Sequence, residues 1–152
     1  MQTTNDFNLI HPLLKPILIN LFSDIFIQEL PFVIFETYRS SSRQDKLFEK
    51  GVTKARAGQS AHNFGLAVDV VLDVKRIEVK EKEWRGKLHP WAWDNETPSC
   101  IDAWLCLGVL CKKHNLEWGG NWKPKDENGI GWDHGHIEFK GWQNVFKQGS
   151  SA

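Results

Sequence analysis

The sequence predicts an α+β fold in which helices pack against a small sheet. One apolar stretch repeats its large residues at helical spacing, a later run looks helical, short runs rich in β-branched and aromatic residues read as strands, and polar or Gly-containing segments separate them. A chain of 152 residues is near the common size of one domain and can bury a sizeable core, so residues 1–152 are expected to form a single domain.

From His11 to Leu30, the positions Leu13, Leu14, Ile17, Leu18, Leu21, Phe22 and Ile25 recur at helical spacing, and Lys15, Asn20, Asp24 and Glu29 interrupt the apolar run. That pattern suits a packing helix and not a membrane span, so no membrane insertion is expected. Pro31 ends the helix, and Phe32 to Tyr38 has the content of a strand, with Arg39 at its end. Ser41 to Lys50 reads as a short polar helix stopped by Gly51, and Thr53 to Gln59 as a loop. Leu66 to Asp73 is a short apolar run that fits a central strand buried on both faces. Ser99-Cys100-Ile101-Asp102 has the form of a capping box, which predicts a helix from Ile101 to about His114 with Cys106 and Cys111 as small buried thiols. With no C-x-x-C spacing, Cys100, Cys106 and Cys111 do not suggest a zinc–thiolate site. The last strand is expected from about Gly135 to Phe139.

Nineteen Lys and Arg balance nineteen Asp and Glu, so the chain lacks the electrostatic footprint of a nucleic-acid binder, and none is expected as a partner. Met1 to Asp6 has no basic region followed by an apolar core, so no secretory signal is read there. The expectation is a monomer made in the cytoplasm.

Two separated stretches carry chemistry. Ser60-Ala61-His62 through Asp69, together with Asp133-His134-Gly135-His136, supplies two imidazoles and a carboxylate in the order a catalytic zinc site would use. Such a site takes three N or O ligands and keeps a position open for water, whose pKa falls to about 7. An Asp in the middle of an apolar strand is expensive unless it is paired or binds metal, which marks Asp69 as a ligand candidate. Asp133 is the obvious candidate base. Parity along the last strand would put His134, His136 and Glu138 on one face and turn Asp133 away, so His134 and Glu138 stand beside Asp133 as alternatives, and Glu138 could instead orient a ligand. His11, His89 and His114 have no partner at ligand spacing.

These residues resemble the zinc peptidases of bacterial wall peptides, the D-Ala-D-Ala carboxypeptidases and the L-alanyl-D-glutamate endopeptidases of phage endolysins. The resemblance rests on Ser-x-His-x-x-Gly-x-Ala-x-Asp from Ser60 to Asp69, on Tyr38-Arg39-Ser40 followed by Arg43-Gln44, on Leu116 through Trp122, and on Asp133 to Phe139. It implies a hedgehog-like fold with a small antiparallel sheet, Zn2+ as cofactor, His62, Asp69 and His136 as metal ligands, and Asp133 as base. Arg39 would stabilise the oxyanion or grip a substrate carboxylate, where the residues alone suggest a surface salt bridge with Asp45 or Glu49. His134-Gly135 departs from the endolysin pattern and is similar to the His-x-His of the wider lysostaphin and hedgehog-like group, which makes His134 a second catalytic candidate. Ser60 could bind substrate or shape its loop, and Trp118 could line a groove or build core. The stretch from Lys75 to Ser99 is longer than the family's usual connection and could form one wall of the groove.

The resemblance implies a peptidoglycan stem peptide as substrate, cut at the L-Ala–D-Glu bond, with release to the wall depending on a holin pore or host lysis. A D-Ala-D-Ala carboxypeptidase or dipeptidase would use the same residues. A non-catalytic zinc-stabilised wall-binding module is a third reading, against which Asp133 and Arg39 argue.

Overall fold

A computed structural model describes residues 3–79 and 90–150. Its elements are α1 (Lys15–Ile27), β1 (Phe32–Glu36), α2 (Ser41–Glu49), β2 (Ala67–Leu72), α3 (Pro98–Lys113), β3 (Leu116–Trp118), β4 (His136–Phe139) and α4 (Gln143–Ser150). The strands form one sheet in the order β1-β2-β4-β3, with every neighbouring pair antiparallel. This is the α+β architecture the sequence predicts.

Alternation divides β2 between two environments. Val68, Val70 and Leu72 belong to the main core with Leu14, Leu18 and Leu21 of α1 and Trp104 and Leu107 of α3. Each of these aliphatic side chains, withdrawn from water, contributes about 1.5–3 kcal/mol. Asp69 points the other way and stands opposite His136 on β4. On β1, Ile34 pairs with Val70 and Glu36 with Asp69, a register shift that admits one extra residue, Phe35. Without that bulge Glu36 would share the core face of Phe32 and Ile34; with it, Glu36 joins Asp69.

Several boundaries differ from expectation for local reasons. The first helix stops at Ile27 because Glu29 turns left-handed at φ 56° and Leu30 N–H closes onto the Ile25 carbonyl at 2.9 Å. The helix expected at Ile101 starts at Pro98 with Thr97 at the N-cap, so the Ser99 capping box does not form. Pro98 suits the first helical position, and the Asp94 carboxylate accepts from the backbone N–H groups of Glu96 and Thr97 at 2.8 and 3.0 Å. Cys111 is buried as expected, but Cys106 is exposed, lying on the solvent face one position short of Leu107. Of the Lys75–Ser99 stretch, Lys80 to His89 lies outside the described residues, including Trp84. No described helix is long and apolar enough to cross a membrane.

Candidate active site

His62 is presented by a 3-10 turn, Ala61–Phe64, that directly precedes β2. Ser60 caps this turn, its hydroxyl accepting from His62 N–H at 3.3 Å, while Asn63 accepts from Ser60 N–H and donates to the Arg39 carbonyl. Gly65 ends it at φ 69°, packed so closely on the Leu9 carbonyl that a Cβ would lie 2.6 Å away. Ser60 thus shapes the loop and also borders the cleft.

The His62 Nδ1 atom lies 2.8 Å from the Thr37 carbonyl. A carbonyl only accepts, so Nδ1 carries a hydrogen and Nε2 is the nitrogen that faces Asp69. That Nε2 is buried 3.1 Å from Asp69 Oδ1 and has no hydrogen-bond partner among the described residues. On the other side of the same oxygen, His136 Nδ1 stands at 3.3 Å, and His136 Nε2 is 2.8 Å from Glu138 Oε1. Glu138 is therefore placed to orient the His136 ring, leaving Nδ1 to face Asp69.

The three donor atoms lie within 4.8 Å of one another. Two ligands at about 2.0 Å from a tetrahedral zinc are about 3.3 Å apart, so the 3.1 and 3.3 Å separations fit such an ion. Electrostatics point the same way. Burial would raise the Asp69 carboxyl, but His62 and His136 hold it well below the ordinary carboxylate range. Burial would likewise lower His136, yet its hydrogen bonds to Asp69 and Glu138 push it up to about 10. The cluster favours positive charge at this point, and a metal cation can replace the imidazole proton.

Asp133 sits in the turn before β4, where its carbonyl accepts from His136 N–H at 3.0 Å. Gly119 permits that turn: a Cβ there would lie 2.0 Å from the Asp133 carbonyl oxygen. The Asp133 side chain borders the cleft, and burial pushes its carboxyl up, opposed by His136.

Arg39 has neither of the surface partners considered from sequence. Its Nε and one terminal nitrogen donate to the buried Glu36 carboxylate at 3.2 and 2.8 Å, the same nitrogen reaches Asp69 Oδ2 at 3.4 Å, and the other donates to Gln44 at 3.0 Å. Arg43 grips the same Glu36. Glu36 was not singled out from sequence, and Gln44 only as part of the Arg43-Gln44 motif, although the cost that marked Asp69, a carboxylate within an apolar strand, applies equally to Glu36.

Two expectations need correction. His134 is buried and does not line the cleft: its Nε2 is 2.8 Å from the Trp93 carbonyl, its ring meets Trp104 edge to face at 4.5 Å, and burial lowers its pKa. β4 begins only at His136, so strand parity does not extend back to His134, and the turn carries Asp133 toward the cleft instead. Trp118 is also core, its indole N–H donating to the His134 carbonyl at 2.7 Å and its ring packed so tightly on Gly108 and Gly120 that Cβ atoms there would lie 2.4 and 2.1 Å from it. Among the described residues, Phe35, Trp93, Trp122, Trp132 and Trp142 form the aromatic lining of the cleft, about 870 Å³ in volume. Trp122 stands 5.1 Å from the His136 ring.

Comparison with known proteins agrees with this geometry. Residues 53–138, more than half of the chain, match the family described as D-alanyl-D-alanine carboxypeptidase. The chain belongs to that family. It is 32% identical over 124 residues to the peptidoglycan L-alanyl-D-glutamate endopeptidase CwlK of Bacillus subtilis (strain 168), a match covering 75% of this chain and 67% of the relative. Among solved structures, the L-Ala D-Glu endopeptidase ChiX of Serratia marcescens superposes with a TM-score of 0.58 at 22% identity, covering 88% of this chain and 82% of that one. The vancomycin-resistance D,D-pentapeptidase VanY, solved with Zn(II), gives 0.57 at 17% identity, covering 92% and 79%. These two likenesses establish the fold, and the family establishes a peptidase.

Proposed function

We propose that the protein is a zinc-dependent peptidoglycan peptidase that cuts the L-Ala–D-Glu bond of stem peptides. The observation that carries this reading is the convergence of His62 Nε2, Asp69 Oδ1 and His136 Nδ1 in a cleft also bordered by Asp133 and Arg39. When bound there, zinc supplies Lewis-acid polarisation of the scissile carbonyl and acidifies water. Asp133 accepts the proton of the attacking water as its oxygen bonds to the carbonyl carbon, and returns that proton to the amide nitrogen as the C–N bond breaks. A raised carboxyl pKa suits both halves of this transfer. Arg39, fixed by Glu36 and Gln44, holds positive charge beside the developing oxyanion. Glu138 keeps the His136 ring in its ligating orientation.

The choice of bond is supported by the 32% identical relative, an L-alanyl-D-glutamate endopeptidase. The family description favours a second reading, release of a terminal D-Ala by the same residues. Incubation with a synthetic pentapeptide stem ending in D-Ala-D-Ala separates them. Free L-Ala and a product with N-terminal D-Glu are expected, whereas release of D-Ala alone would replace the first reading with the second.

A further inference from the structure

Both candidate bonds share one chemical feature: the residue that supplies the leaving nitrogen carries a free carboxylate on its α-carbon, D-Glu in one case and the terminal D-Ala in the other. Building on the peptidase reading above, we propose that Arg43 is the specificity residue that binds this carboxylate.

The two guanidinium groups differ in how many donors are already engaged. A guanidinium has five N–H groups arranged as a side fork, Nε with one terminal nitrogen, and an end fork across both terminal nitrogens. Arg39 has both forks engaged, by Glu36, Asp69 and Gln44, and keeps a single N–H free. Arg43 spends only its side fork, Nε on Glu36 Oε2 and a terminal nitrogen on Glu36 Oε1 at 3.4 Å. Among the described residues nothing engages its end fork, and the side chain borders the cleft.

Charge points to the same ligand. Two guanidinium groups, with side chains 11% and 18% exposed, share the single carboxylate of Glu36, itself 1% exposed. Asp69 is the other acid within reach of Arg39, and its Oδ1 belongs to the donor cluster. One positive charge is left for an anion, and the open fork on Arg43 matches the two oxygens of a carboxylate. Lys54 and Lys123 also border the cleft but are exposed point charges with no buried partner to hold them.

Two synthetic stem peptides, identical except that the D-Glu α-carboxylate is free in one and amidated in the other, test the assignment. Wild-type protein should prefer the free acid by about 10- to 100-fold, in KM for the zinc-loaded enzyme and in calorimetric binding to the metal-free protein. Arg43→Gln should collapse that preference to within about threefold in both readouts. Arg43→Lys, which keeps a cation beside Glu36, controls for folding and should retain part of the preference. A preference that survives Arg43→Gln, or one that disappears only in Lys54→Ala, would overturn the proposal, as would equal losses on both peptides. Wild-type protein that binds the acid selectively but cleaves neither peptide would refute the endopeptidase reading and leave the Arg43 assignment standing. Cleavage of both peptides without preference would do the reverse.

Discussion

Glu36→Gln is the substitution that probes the frame of the site most sharply. Glu36 is almost wholly buried, and four donors from Arg39 and Arg43 converge on its two oxygens. An amide keeps the shape, but it removes the negative charge and turns one end into a donor facing N–H groups. Breaking a buried ion pair by removing one partner costs about 3–5 kcal/mol, and the retained oxygen of Gln favours the lower end, about 3 kcal/mol. For a chain of this length that corresponds to a fall in Tm of roughly 6–12 °C. Differential scanning calorimetry on metal-free protein measures it without interference from ligand binding. A change below about 2 °C would mean that the two arginines find other partners, and that Glu36 does not organise them.

Asp133→Asn should leave zinc binding and folding intact while lowering turnover by about two to four orders of magnitude, and His136→Ala should reduce metal content, stability and activity together; steady-state kinetics with metal analysis distinguishes a base from a ligand. In native protein a maleimide should label Cys106 quickly and leave Cys100 and Cys111 until denaturation, because burial pushes those thiols up to about 11 and about 12. Mass spectrometry of the labelled chain reads this directly. Asp24 is held below its ordinary value by hydrogen bonds from Lys113 and His114, joining α1 to the end of α3. Its folded-state pKa is depressed, so its contribution is present above the ordinary carboxylate range and is lost as pH falls through the folded value. Asp24→Asn should therefore lower Tm near about pH 6 and leave it unchanged near about pH 2.

How much of this was legible in the sequence differs from residue to residue. Apolar periodicity located α1, β-branched and aromatic content β1, a short apolar run β2, and a capping pattern α3, each to within a few residues. The carboxylate at Asp69 stood out because nothing apolar surrounds a charge without compensation. Position-by-position parity failed at the last strand, because regular alternation stops where a strand bends. The bulge at Phe35 moved Glu36 onto the site face, and the turn before His136 sent His134 into the core and Asp133 toward the cleft. Trp118 and Trp122 are equivalent by composition. Only the packing of Gly108 and Gly120 against the first ring, and the nearness of the second to His136, separates core from cleft wall.

His62, Asp69 and His136 are expected to hold one zinc on which hydrolysis depends. Elemental analysis of the purified protein, run beside a muropeptide digestion before chelation, after it and after adding zinc back, tests that claim most directly. One zinc per chain, loss of metal and of new N-terminal D-Glu on chelation, and recovery of both with zinc are the expected results. Full hydrolysis by metal-free protein would contradict it.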